Sequence, residues 1–165
     1  MPSFDILHEG NEIGHVAWTM AYCRNDTSTM AGFATHPIEE QLKFLGLIER
    51  YPAAMLRSIT VEPDFQGRKY GSHALIEFEN RISQIKCYFS VCYVGYDNLE
   101  EMNKNLNFYE SLDWQIFYFD DEFIFQNRPI DGIDVFCLAY KNSSRFCSSS
   151  RETLSELDFS PTRYH

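Results

Sequence analysis

An α/β domain, with a mixed sheet flanked by helices, is predicted by three observations on this 165-residue chain. An alternating hairpin opens it, a strand, glycine loop, helix and strand fill its centre, and two further alternating runs follow a second amphipathic helix. The hairpin supplies an antiparallel pair. The central unit needs a crossover and therefore supplies a parallel pair.

Phe4–Leu7 and Glu12–Tyr22 read as strands joined by a tight turn at Gly10 and Asn11, with Val16, Trp18 and Met20 alternating on one face. Met30–Thr35 reads as a further short strand. Pro37 then fits a first helical position, Glu39 and Glu40 suit the positive helix start, and Ile38, Leu42, Leu45 and Ile48 recur at helical spacing. A helix over Pro37–Arg50 follows, closed by Pro52. Met55–Val61 is the next strand, and the loop to Ser72 feeds a helix with Leu75, Phe78, Ile82 and Ile85 on one stripe. Cys87–Val94 is a β-rich run that parallels the Met55 strand. A helix from Asn98, with Glu101 completing a capping box, carries Leu99, Met102, Leu106, Tyr109 and Leu112. Trp114–Phe119 and Ile133–Tyr140 alternate as strands around an acidic loop.

The end of the chain differs in composition, with seven serines from Asn142 onward. Ser143–Ser150 reads as a flexible linker and Glu152–Phe159 as a short terminal helix. The expected division is thus one domain over residues 1–142 and a flexible serine-rich tail over 143–165.

Hydrophobic residues at 44%, charged at 23% and aromatic at 16% are those of a globular protein with a Phe- and Tyr-rich core or pocket. A domain of this length buries roughly 70% of its unfolded surface and can fold alone. The formal net charge of −10 argues against extended contact with nucleic acid, which needs Lys and Arg to neutralise phosphates. It favours a cationic partner instead. Cys23, Cys87, Cys92, Cys137 and Cys147 make an odd count without the two-residue spacing of zinc or redox sites. Free thiols and no metal are expected. No apolar stretch approaches the length of a membrane span and no basic-then-apolar leader opens the sequence, so the expected location is cytoplasmic.

The chemistry concentrates in Leu56–Ile76. A glycine-bearing loop that leads into a helix presents unpaired backbone N–H groups and the positive end of the helix dipole, which together attract a phosphate. The strand Ser58–Val61, then Glu62 and Pro63, then Gln66, Gly67, Arg68, Lys69, Tyr70, Gly71 and Ser72, followed later by Asn107 to Trp114, resemble the GNAT superfamily of N-acetyltransferases. The first block is similar to that family's acetyl-CoA motif, and the second to the Phe-Tyr-Glu-x-Leu-Gly-Phe ending of the helix after the next strand. Together they span Leu56–Trp114, and Asp134–Lys141 resembles the family's last strand.

The resemblance implies a GNAT-like fold, a mixed and mostly antiparallel sheet with flanking helices in which Ser58–Val61 splays from its parallel neighbour Cys87–Val94. The pantetheine arm of acetyl-CoA, the co-substrate, would enter that gap against the backbone of Ile59, Thr60 and Val61. Gln66–Ser72 would wrap the pyrophosphate, with Gly67 and Gly71 keeping side chains clear and Arg68 or Lys69 adding positive charge. Lys69 departs from the family, which has glycine there. A positive φ at Lys69 would cost roughly 1–2 kcal/mol and weaken cofactor binding, while a helical φ would let its ammonium face a phosphate.

Tyr109 stands where the family places the acid that protonates the leaving thiolate. Met102 replaces the family's asparagine, with Asn103 one place along as a cofactor contact, and Asp113 replaces the glycine that ends the helix. For the general base, Glu62 beside the splayed strand, His36, His73, Asp120, Asp121 and Glu122 all qualify by type. The acceptor wall is expected from the Pro37–Arg50 helix and the Asp120–Asp131 loop, whose acids and aromatics suit a cationic amine, either a small molecule or a protein lysine or N-terminus. The resulting reading is acetyl transfer to a primary amine by direct attack. The alternatives are a CoA-binding regulatory module with weakened catalysis, or an interaction protein acting through its tail.

Overall fold

The computed structural model of the chain describes residues 1–23, 46–48, 50–96, 99–118, 134–143 and 157–164. The expected Met30–Thr35 strand, most of the Pro37–Arg50 helix, the Asp120–Asp131 loop and nearly all of the Ser143–Ser150 linker lie outside these residues. The described elements are β1 (Ser3–His8), β2 (Asn11–Ala21), β3 (Ala53–Val61), a single 3-10 turn (Pro63–Phe65), α1 (Tyr70–Gln84), β4 (Phe89–Tyr96), α2 (Leu99–Glu110), β5 (Gln115–Tyr118), β6 (Asp134–Asn142) and β7 (Leu157–Phe159). Their strands form one sheet in the order β5-β6-β4-β3-β2-β1-β7. Within it only β3 and β4 run parallel. The expected mixed, mostly antiparallel α/β sheet is what the chain builds.

The opening hairpin turns on Glu9 and Gly10, both at positive φ, while Asn11 already pairs with His8. Two positive φ values in a two-residue loop match the twist of the flanking strands, which moves the turn one residue earlier than its sequence suggests. On β2, Val16, Trp18 and Met20 share the buried face as expected.

That face packs under both helices. Leu75, Phe78 and Ile82 of α1 meet Phe4, Trp18 and Leu56, and α2 adds Leu106 and Tyr109. Ile85 does not join its stripe, because the helix ends there and leaves it 42% exposed. Both helices close the same way. Cys87 N–H reaches Ile82 C=O and Lys86 N–H reaches Ser83 C=O, and Trp114 and Asp113 repeat the pattern onto Tyr109 and Glu110. These are Schellman ends, with Lys86 and Asp113 in the left-handed position glycine usually takes. The opposite face of the sheet buries Ala53, Met55, Phe89, Val91 and Leu138.

The end of the chain corrects the expected tail. Leu157–Phe159 is a strand on the outer edge of β1, not the close of a helix, and Arg163 pairs with Ser3 beyond it. Polar anchors outweigh local helix propensity here. Asp5 takes both arms of the Arg163 guanidinium at 2.7 and 2.8 Å, and its N–H donates to Ser160 Oγ at 2.7 Å. Arg81 lies 4.1 Å over the Phe4 ring and donates to Thr162 Oγ1. Leu157–Phe159 therefore belongs to the sheet, and Ser160–Arg163 is anchored beside β1.

This anchor predicts a pH dependence. Burial raises the Asp5 carboxyl, but hydrogen bonds from His15 and Arg163 outweigh it and hold the group below the ordinary carboxylate range. A depressed carboxyl contributes stability above its unfolded pKa of about 3.9, and that contribution disappears as pH falls through the folded value. Denaturant unfolding at neutral pH should show Asp5→Asn about 1–2 kcal/mol less stable than wild type, a modest figure because Arg163 is partly exposed. The difference should close in acid. A constant difference from pH 7 to pH 3 would mean the carboxylate charge plays no part.

Candidate active site

The site begins with a register irregularity. Ala17 pairs with Ser58 but Trp18 pairs with Leu56, so Arg57 is an extra residue in β3. A bulge bends its strand, and the β3–β4 ladder stops at this point, at Leu56 opposite Cys92. Beyond it β4 stays with β6, while Ser58–Val61 stays with β2. The two parallel strands part, and the edge of Ser58–Val61 that faced β4 is left for another partner.

A cavity of about 680 Å³ fills the gap. Ile59, Thr60 and Val61 line one side, Gln66, Gly67, Lys69, Tyr70, Gly71 and Ser72 the mouth, and Cys92 and Tyr93 the other side. Asn105, Phe108 and Tyr109 of α2 close it. Among the described residues its charged lining consists of Arg57, Lys69 and Lys104, with no Asp or Glu, in a chain of net charge −10. Such a local excess of cations suits a polyanion.

The loop holds its shape through its own residues. Gln66 Nε2 donates to Val61 C=O at 2.8 Å and closes the corner after β3. Gly67 stands at φ +75° with open space where a Cβ would be. Tyr70 turns inward, its hydroxyl 3.2 Å from His8 Nδ1 and its ring against Phe65. The first turn of α1 carries no acidic residue, so its N–H groups and dipole face the mouth unopposed. Lys69 precedes that turn at φ 67°, which is the strained outcome of the two.

Three residues expected at the cofactor or the reaction stand apart from the lining. Glu62 is exposed, its N–H committed to Ile13 C=O. Arg68 covers the Phe65 ring from outside, 5.6 Å from its centroid. Asn103 is exposed, because six residues before Tyr109 puts it about 120° around the helix. Asn105, four residues before Tyr109, takes the facing position instead. Among the other candidate bases, His73 lies on α1 outside the lining, and His36, Asp120, Asp121 and Glu122 fall outside the described residues.

Tyr109 is buried at 6% exposure, with its hydroxyl 3.1 Å from Cys92 Sγ. Burial, and then the Cys92 thiol, push its phenol well above the ordinary range. Burial likewise lifts Cys92 to about 11, against the hydrogen bond from Tyr109, and lifts Cys137 to about 11. Each group therefore keeps its proton near neutral pH. Cys92 and Arg57 carry no motif in the sequence; only the parallel alignment of Cys87–Val94 with Met55–Val61 hinted that they would meet here.

This architecture recurs in solved structures. The chain is similar to an agmatine N-acetyltransferase mutant at 13% identity, covering 84% of this chain and 74% of that one with a TM-score of 0.53. A polyamine N-acetyltransferase of Drosophila melanogaster matches at 12% identity, 85% and 74% coverage and a TM-score of 0.54. A GNAT family acetyltransferase of Elizabethkingia anophelis, solved with acetyl-CoA bound, matches at 12%, 84% and 72% with a TM-score of 0.50. No protein-family model matches the sequence, and no curated protein does. The chain has the GNAT acetyltransferase fold. Among the described residues, no helix is long and apolar enough to cross a membrane.

Proposed function

We propose that the protein is an acetyl-CoA-dependent N-acetyltransferase acting on a primary amine of a small molecule or protein, with Tyr109 as the general acid. One observation carries this reading: β3 and β4 part at Leu56 and Cys92 into a cavity rich in cations, free of carboxylates among its described lining, with a buried phenol beside it. Acetyl-CoA fits that lining by its chemistry, since its phosphates are polyanionic and its pantetheine arm carries amides. The released edge of Ser58–Val61 would pair those amides, while the Gln66–Ser72 loop, the start of α1, Lys69 and Lys104 would hold the phosphates. The cofactor supplies an activated acetyl thioester. Tyr109 keeps a proton at its hydroxyl for the departing sulfur, and Phe108 and Trp114 fix its ring, with centroids 5.1 and 5.3 Å away.

Calorimetry with acetyl-CoA and CoA, followed by release of free thiol on challenge with an amine panel, tests the reading. Saturable micromolar binding and amine-dependent thiol release are expected. No heat at high micromolar ligand would sink it.

Lys69 supports a second reading, a CoA-binding module with weakened catalysis, because its left-handed backbone strains the loop. Lys69→Gly separates the two. Relief of roughly 1–2 kcal/mol of left-handed strain is largely offset by the added flexibility of glycine, so stability should change by less than about 1 kcal/mol. CoA affinity then reports on the side chain. Weaker binding in Lys69→Gly marks Lys69 as a phosphate partner, and tighter binding favours the strained, weakened module.

A further inference from the structure

The hydroxyl that Tyr109 brings to the gap is held in one direction. Among the described residues its hydrogen-bond partner is Cys92, whose Sγ lies 3.1 Å away. Each group carries one proton, and a second contact decides which of them donates. Cys92 Sγ stands 3.3 Å from Tyr93 C=O, and a carbonyl only accepts, so the thiol directs its proton there. Tyr109 therefore donates to the sulfur, and the chain runs from Tyr109 O–H to Cys92 S–H to Tyr93 C=O. Cys92 is itself fixed on β4, paired with Leu56 of β3 at the last rung before the strands part, and with Ala139 of β6. It lines the cavity at 8% exposure. The phenolic proton is thus held by a sulfur at the edge of the gap.

A thioester held in the gap would present a second sulfur to the same phenol. We infer that Cys92 is a positioning residue for Tyr109, its sulfur holding the phenolic proton toward the gap until the departing sulfur of CoA replaces it. This role rests on the acetyl-CoA reading of the cavity and on Tyr109 as the acid. A neutral thiol suits it. Its sulfur is a weak acceptor, whereas a thiolate takes a charge-assisted hydrogen bond, so the proton leaves one sulfur for the other as charge develops on CoA. The Tyr109 O–H bond then breaks as an S–H bond forms on CoA, and the proton shed by the amine restores the phenol. A carboxylate at the same place would hold the phenol tightly and set a negative charge against the leaving thiolate. Burial lifts the Cys92 thiol to about 11, so no such charge arises there near neutral pH. Cys137, on the neighbouring strand β6, is likewise raised to about 11 by burial and then by Cys92.

The experiment measures single-turnover transfer from acetyl-CoA to a saturating concentration of the amine the panel turns over fastest, alongside acetyl-CoA affinity by calorimetry. Cys92→Ala removes the acceptor, and Cys92→Val removes it while filling the space. Each should transfer about 5–10-fold more slowly than wild type, the worth of one hydrogen bond, with acetyl-CoA affinity within about 2-fold. Cys92→Ser keeps an acceptor that can also donate to Tyr93 C=O, and should stay within about 2-fold of the wild-type rate. In a Tyr109→Phe background Cys92→Ala should slow transfer no further, a result that a loss through packing would not reproduce. A wild-type rate in either Cys92→Ala or Cys92→Val would overturn this inference alone. So would a serine variant as slow as alanine, or an equal loss with and without the Tyr109 hydroxyl. Failure of wild type to bind acetyl-CoA, or full activity in Tyr109→Phe, would overturn the inference together with the reading beneath it.

Discussion

Tyr109→Phe should lower kcat for acetyl transfer by about 10²–10⁴-fold, the usual worth of a positioned acid, with acetyl-CoA affinity unchanged. The structure bears on the energetics of that proton. A phenol ordinarily titrates near 10 and a thiol at about 8.5–9, so transfer from an even less acidic Tyr109 would be uphill in water. A sulfur leaving within this gap would not be in water, however. Cys92, 3.1 Å from the phenol, is itself lifted to about 11 by burial, and any thiolate released into this site meets the same desolvation. Donor and acceptor are raised together, so desolvation of the sulfur offsets part of the cost of taking the proton from a buried phenol. Because the phenol is raised, it holds its proton through neutral and mildly alkaline pH, and wild-type activity should show no loss from Tyr109 ionisation below pH of about 10. Phe preserves the ring contacts, so melting should barely change. Full activity of Tyr109→Phe across the pH range would remove the acid assignment.

The largest stability effect should come from Glu79→Ala, a loss of about 3–5 kcal/mol. Glu79 is 7% exposed, and its carboxylate accepts Trp114 Nε1 at 2.6 Å and Lys141 Nζ at 3.0 Å. Lys141 also donates to Leu112 C=O at 3.0 Å, so one cluster ties α1, the end of α2 and β6. Truncating Glu79 leaves a poorly solvated ammonium and a buried indole N–H without their acceptor, and desolvation rather than the lost attraction sets the size of the effect. At about 2–4 °C per kcal/mol for a domain this size, calorimetry should read a fall in Tm near 10 °C. Glu79→Gln keeps an acceptor for Trp114 but no charge for Lys141, and should cost roughly half as much. Equal losses in both variants would place the whole effect on the ion pair, and a loss under about 1 kcal/mol in Glu79→Ala would dismiss the cluster as a stabilising unit. The cluster also reaches the site, since Trp114 packs on Tyr109.

Local chemistry made much of this legible. The α1 stripe of Leu75, Phe78 and Ile82, the alternation of Val16, Trp18 and Met20, and the loop at Gly67 all depend on neighbours a few residues away, and each stands where its pattern puts it. Tyr109 stands out only through the family resemblance of the block that ends its helix, and it lines the cavity. Asn103 lies outside the cavity lining, and spacing of four back from Tyr109 would have singled out Asn105 instead.

Other features had no local signal. Glu152–Phe159 has helix-favouring residues, but its last residues obey Asp5 and β1, at the other end of the chain, and become β7. Arg57 looks like any strand residue until β2 pairs past it and makes it the bulge. Cys92 becomes a partner of Tyr109 only when α2 lies across β4. The sequence alone determined the mixed sheet, the two described helices and the loop that leads into α1, because periodicity and turn chemistry are properties of short segments. Only the tertiary structure decided where the parallel strands part and which side chains face the gap, because those depend on register between strands far apart in the chain.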